Sequence, residues 1–285
     1  MIGRLSLVRL AIGCTAVLAV SSVALAEPQG SVSVPNCAAP SALSMIEAAL
    51  DRTTVRIDQA KPLTIIAMGS SSTQGVGAST PEASYPSRLE ADLRDRFPDV
   101  EFQVLNRGIG GEDVGEEVAR FGRDVFAVHP DLVIWQVGTN AVLRRDVLVD
   151  DKQSISRGVA LITAQGIDLI LMDLQYAPRV LARPAWSEME RIIGEIARRA
   201  HIGLFRRFDI MREWDHTRPF APARMIGADG LHMTDASYGC LASQLAQALA
   251  WNWWSHGKLA KSLNRSPDAV AGFAPGQNAP SAGAP

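Results

Sequence analysis

Five short apolar runs, alternating with stretches of helical period, leave this chain few ways to fold. Leu63–Met68, Val100–Leu105, Leu132–Val137, Leu169–Leu174 and Gly203–Phe208 read as strands. Most of them are apolar without alternation, which suits strands covered on both faces of a parallel sheet. Tyr85–Phe97 carries Leu89, Leu93 and Phe97 four residues apart, so it reads as an amphipathic helix. Val114–Val128, Asp151–Gln165 and Ala185–Ala200 read the same way, and Thr234–Trp254 closes the chain with Leu241, Leu245 and Leu249 along one side. A shorter helix is predicted over Ser41–Asp51, with Leu43, Ile46 and Leu50 on one face. Strands joined by helices demand right-handed crossovers, which makes the fold class α/β: a three-layer α/β/α sandwich around a five-stranded parallel sheet.

The two ends of the chain differ from the middle. Arg4 and Arg9 precede an apolar stretch, Leu10–Val23, and Ala24-Leu25-Ala26 supplies a small-x-small cleavage pattern. Residues 1–26 therefore read as a signal peptide, with the mature chain exported to the periplasm or beyond. Residues 27–40 form a linker, residues 41–262 one folded domain, and residues 263–285 a Pro/Ala/Gly-rich tail too poor in apolar surface to pack. Cys14 leaves with the signal, and Cys37 and Cys240 remain as either one disulfide or two buried thiols. The net charge of −2 offers no basic field, so nucleic acid is not an expected partner. Arg206, Arg207, Arg212, Arg218 and Arg224 read as a solvated face.

Ligands of a doubly wound sheet bind beyond the carboxyl ends of its strands, and there the informative polar residues gather. The first strand runs into Gly69-Ser70-Ser71-Ser72-Thr73, the second into Asn106-Arg107-Gly108-Ile109-Gly110-Gly111, and the third into Gly138-Thr139-Asn140. The loop before the closing helix carries Asp229-Gly230-Leu231-His232. A hydroxyl, backbone amides, a side-chain amide and an Asp/His pair are the parts of acyl-transfer chemistry. Ser70, Ser72 and Thr73 are expected to serve the turn or cap the next helix, and Gly110 and Gly111 to be turn glycines. His129, His201, His216 and His256 show no metal-ligand spacing, so no metal or other cofactor is expected. There is no Gly-x-Ser-x-Gly elbow, dinucleotide fingerprint or P-loop.

Together the four stretches resemble the sequence blocks of the SGNH (GDSL-like) hydrolase superfamily. Gly69 and Ser71 stand in the first block, Asn106, Gly108 and Gly111 in the second, Gly138 and Asn140 in the third, and Asp229 and His232 in the fourth. Two positions depart from the pattern: Ser70 stands where Asp is usual, and Ala141 where a second Asp is usual. The resemblance implies a flavodoxin-like domain and a metal-independent serine esterase. It further implies Ser71 as nucleophile, His232 as base and Asp229 as its orienting partner. The Ser71 and Gly108 backbone N–H groups and the Asn140 side chain would form the oxyanion hole. Histidine suits the base role because imidazole titrates near neutral pH. The expected substrate is a short acyl ester, acetyl above all, on a sugar or polysaccharide. Acyl transfer to a sugar hydroxyl, or a carbohydrate-binding protein with a vestigial site, are the alternatives. Tyr176, Trp186, Trp214 and Phe220, beside Arg179, Arg183, Arg218 and Arg224, are expected to form a sugar-binding rim.

Overall fold

The computed structural model describes residues 37–144, 147–217 and 222–257. The signal peptide, most of the linker and the tail read from the sequence lie outside these residues, as do Arg218 and Phe220. Five strands, β1 (Leu63–Gly69), β2 (Phe102–Gly108), β3 (Leu132–Gln136), β4 (Asp168–Met172) and β5 (Gly203–Phe205), form one parallel sheet in the order β2-β1-β3-β4-β5. The order reverses between β1 and β3, and such a switch point opens a crevice at the carboxyl ends. Every residue of β3 is buried, as are all of β1 except Thr64, because helices cover both faces.

In chain order the helices are α1 (Ser41–Ser44), α2 (Asp51–Asp58), α3 (Ser71–Gln74), α4 (Tyr85–Arg96), α5 (Val114–Ala119) and α6 (Phe121–Asp124). They continue as α7 (Thr139–Arg144), α8 (Val149–Thr163), α9 (Pro178–Leu181), α10 (Trp186–Ala200), α11 (Arg207–Thr217), α12 (Pro222–Met225) and α13 (Asp235–His256). No helix among the described residues is long and apolar enough to cross a membrane.

Three expectations change in detail. The predicted helix over residues 41–51 is broken. Between α1 and α2 the backbone pairs with Asn252 of α13, whose Nδ2 donates to the carbonyls of Ile46 (2.8 Å) and Ala48 (2.9 Å). A side-chain amide from 206 and 204 residues away satisfies groups that a helix would have bonded locally. The predicted helix over residues 114–128 is interrupted at Arg120, where α5 ends and α6 begins. The fifth strand stops at Phe205, since Arg207 already opens α11.

Cys37 and Cys240 form a disulfide with their Cα atoms 5.1 Å apart, fixing the N-terminal arm to α13. Trp214 Nε1 donates to the Cys37 carbonyl (3.2 Å) and adds a second tie. A bridge between residues separated by 203 positions restricts the unfolded chain strongly. Cys37→Ser with Cys240→Ser is expected to lower stability by about 2–4 kcal/mol, read from denaturant midpoints. An unchanged midpoint would remove the bridge from the stabilising interactions.

Candidate active site

The register of β1 against β2 pairs Gly69 with Gly108, so the chain leaves both strands at the same level, side by side. From β1 it turns at once into α3, and the serine run is sorted by burial. Ser70, Ser72 and Thr73 are buried, whereas Ser71 is partly accessible. The inward hydroxyls have a common acceptor in Gln136 Oε1 at the end of β3, at 3.2 Å from Ser70 Oγ and 3.0 Å from Ser72 Oγ. The Ser70 N–H also points there (3.2 Å). Gln136 therefore clamps the turn from beneath and leaves Ser71 on top.

Ser71 Oγ lies 2.9 Å from His232 Nε2, and His232 Nδ1 lies 2.5 Å from Asp229 Oδ2. With the imidazole proton on Nδ1, the ring donates to Asp229 and accepts from Ser71. The Asp229–His232 turn is itself braced. Asp229 Oδ1 accepts the N–H groups of Leu231 and His232, each at 3.0 Å. Gln175 Nε2 donates to the Leu231 carbonyl (2.8 Å), and the Arg179 N–H to the Gly230 carbonyl (3.0 Å). Partial burial alone would push the Asp229 carboxyl up. The Leu231 N–H, the His232 ring and the His232 N–H outweigh it and hold the carboxyl down at about 2. Asp229 is thus ionised wherever the protein is handled.

The loop after β2 lies against the serine. A Cβ added at Gly110 would come 3.8 Å from Ser71 Cβ. Gly108 is needed for a different reason from the one its position suggests. A Cβ there would collide with the α3 backbone, 2.1 Å from the Gln74 nitrogen, so glycine permits packing of two protein segments. Its N–H is already engaged, donating to Asn106 Oδ1 (2.9 Å). The Gly110 N–H is likewise taken by Gln74 Oε1 (2.8 Å). By contrast, no acceptor among the described residues meets the N–H of Ser71 or of Gly111. Gly111 has φ +87°, a left-handed conformation that turns the chain at this point. Asn140, at the start of α7, donates one Nδ2 proton to the Glu112 carbonyl (2.7 Å) and keeps the other. The donors in these loops without an acceptor among the described residues are therefore the Ser71 N–H, the Gly111 N–H and the second Asn140 N–H.

Further support comes from residues that sequence patterns passed over. Arg207, read as part of a solvated face, is fully buried. Its Nη1 donates to Ser72 Oγ (2.9 Å) and its Nη2 to the Asp173 carbonyl (2.6 Å). Nearby, the buried Asp173 interacts with the half-buried Glu190. Burial, the largest influence on each, raises both the Asp173 and the Glu190 carboxyls above their ordinary range. The aromatic rim also changes. Trp214 is buried, and Trp186 and Tyr176 stack on and abut Phe208, with ring centroids 4.8 and 5.3 Å away. They fasten the loops to the domain. Arg179, Arg183 and Arg224 are exposed. Among the described residues, no group of three or more His, Cys, Asp or Glu side chains is placed to hold a metal ion.

Comparison with known proteins adds family and fold. The model of the Non-GDSL lipase-like family matches residues 36–252, about three quarters of the chain. An arylesterase of Vibrio mimicus is 30% identical over 97 residues, which is 34% of this chain and 48% of that protein. Among solved structures, a two-domain esterase active on acetylated mannans, crystallised with mannopentaose, superposes with a TM-score of 0.61 at 23% identity. That match covers 74% of this chain and 56% of the other. Axe2, an acetylxylan esterase from Geobacillus stearothermophilus, superposes with a TM-score of 0.56 at 20% identity, covering 67% of this chain and 95% of that one. The chain thus spans about half the length of the arylesterase and of the mannan esterase it matches.

Proposed function

Because the chain belongs to the Non-GDSL lipase-like family, and because one line of hydrogen bonds joins Ser71, His232 and Asp229, we propose that it is a serine ester hydrolase. That line, 2.9 and 2.5 Å, is the observation that carries the reading. His232 takes the Ser71 proton as Oγ attacks the ester carbonyl, and returns it to the departing alcohol. Asp229 holds the ring's orientation and balances the imidazolium. The free N–H groups of Ser71, Gly111 and Asn140 receive the oxyanion. Water then attacks the acyl-serine as His232 takes its proton, and His232 returns that proton to Ser71 Oγ as the bond to the acyl group breaks and the carboxylic acid leaves. The absence of Asp before the nucleophile, where Ser70 stands, fits a family described as non-GDSL.

For substrate we propose an acetyl ester of a carbohydrate. Support comes from the neighbours, whose described substrates are acetylated mannan and xylan, and not from an aromatic rim. The Cys37–Cys240 bridge supports an exported enzyme, since disulfides persist in oxidising compartments. The test is release of acetate from acetylated mannan or xylan oligosaccharides, beside a series of 4-nitrophenyl esters. We expect kcat/KM to fall steeply from acetyl to octanoyl. Preference for decanoyl esters would overturn the substrate, and no ester hydrolysis at all would overturn the function.

The pH profile has a defined sign. Asp229, held at about 2, does not titrate between about pH 4 and about pH 9. Protonated His232 cannot accept the serine proton, so kcat/KM is expected to rise with pH along a single one-proton limb. A two-proton slope on that limb would mean that a second group must ionise.

A further inference from the structure

Arg120 sits where the helix predicted over residues 114–128 breaks, and its guanidinium points at the carboxyl ends of β1 and β2. It is 8% exposed. Nη2 donates to the carbonyl of Arg107 (2.8 Å) and more weakly to that of Gly69 (3.3 Å). Nε donates to Glu112 Oε2 (2.6 Å), and Nη1 to Asp124 Oδ2 (2.7 Å). Gly69 lies two residues before Ser71, Arg107 stands at the end of β2 just ahead of the loop that reaches Gly111, and Glu112 supplies the carbonyl that orients Asn140. The Gly69 carbonyl also accepts the Ile109 N–H (3.0 Å), so both loops meet at one oxygen that Arg120 touches.

We propose that Arg120 is a positioning residue for the oxyanion hole. It acts through the Gly69 and Arg107 carbonyls and through Glu112, and touches no substrate. The inference rests on the serine hydrolase reading above. Charge balance alone does not explain the arrangement. Glu112 and Asp124 already neutralise the guanidinium, and burial pushes the nearby Glu117 carboxyl well above its ordinary range. What Arg120 adds is a planar fork that reaches two backbone carbonyls and two carboxylates at once. A lysine keeps the charge and loses that geometry. Donors aimed at a developing oxyanion must be held closely in place, and their misplacement is felt in kcat more than in KM.

The experiment is a pair of double-mutant cycles on 4-nitrophenyl acetate, Arg120→Lys and Glu112→Ala, each with and without Asn140→Ala. Circular dichroism and melting temperature report on folding. We expect Arg120→Lys alone to lower kcat about 10- to 50-fold with KM within about twofold. With Asn140→Ala already present, the further loss should be smaller than in the wild-type background, because one of the donors that Arg120 positions is gone. Glu112→Ala should show the same pattern more weakly, and it carries the test if Arg120→Lys does not fold. Full multiplication of the two losses, or a loss confined to KM or to melting temperature, would overturn the assignment while leaving the hydrolase reading intact. An inactive wild-type protein with no phosphonate label at Ser71 would overturn both.

Discussion

Ser71→Ala is expected to cut turnover on the order of 10⁶-fold, the loss seen when the nucleophile of a serine triad is removed. The expectation rests on access as much as on alignment. Four hydroxyl side chains stand in a row from Ser70 to Thr73, and any of them could be taken for the nucleophile from composition. Three are buried and turned toward Gln136, while Ser71 alone is both accessible and 2.9 Å from an imidazole nitrogen. The folded state should tolerate the change, because the Ser71 side chain bonds only His232 among the described residues. Melting temperature should therefore stay close to wild type while activity disappears. A fluorophosphonate adduct mapped by mass spectrometry provides the second measurement. An adduct on Ser70 or Ser72, or an active Ser71→Ala protein, would move the nucleophile elsewhere and dissolve the proposed triad.

The sheet was legible in the sequence because burial on both faces writes itself as continuous apolar runs. β1 and β3 fall within a residue of where hydropathy places them. β2 is displaced toward its carboxyl end, since Asn106, Arg107 and Gly108 extend the ladder although their side chains suggest a loop. What hydropathy could not show is structure held by single long-range polar contacts. Asn252 replaces a helix around Ile46, and Arg120 divides another. Such contacts depend on three-dimensional neighbours and leave no period behind.

The site divides in the same way. Ser71, His232 and Asp229 could be singled out because the stretches in which they stand resemble the SGNH sequence blocks. The scaffold beneath them could not, because glutamine, arginine and glutamate are ordinary surface residues. A glutamine inside an apolar run, as Gln136 is between Trp135 and Val137, is the one signal that was available. Arg207 offered none, since an arginine beside Arg206 usually faces water. Gly108 shows the limit from the other side. A glycine in a matching block invites a role in catalysis, yet here it makes room for the α3 backbone and its N–H is bonded to Asn106.

Asn140→Ala is expected to lower kcat by about 10²–10³-fold with little change in KM, the range found when one donor leaves an oxyanion hole. The reasoning follows its two Nδ2 protons. One is fixed on the Glu112 carbonyl at 2.7 Å, which removes the amide's rotational freedom. The second remains for the ester oxygen. A ground-state carbonyl gains little from that contact, whereas a tetrahedral oxyanion in a partly dry site gains several kcal/mol. The loss should therefore appear in the chemical step. Asn140→Asp makes the sharper comparison. It keeps the size of the side chain but sets a negative charge beside the developing oxyanion and opposite the Glu112 carbonyl. It should be at least as impaired as Asn140→Ala. Should Asn140→Asp retain most of its activity, or should Asn140→Ala raise KM with kcat intact, the amide would be a substrate-binding group. The oxyanion would then depend on the backbone N–H groups of Ser71 and Gly111 alone.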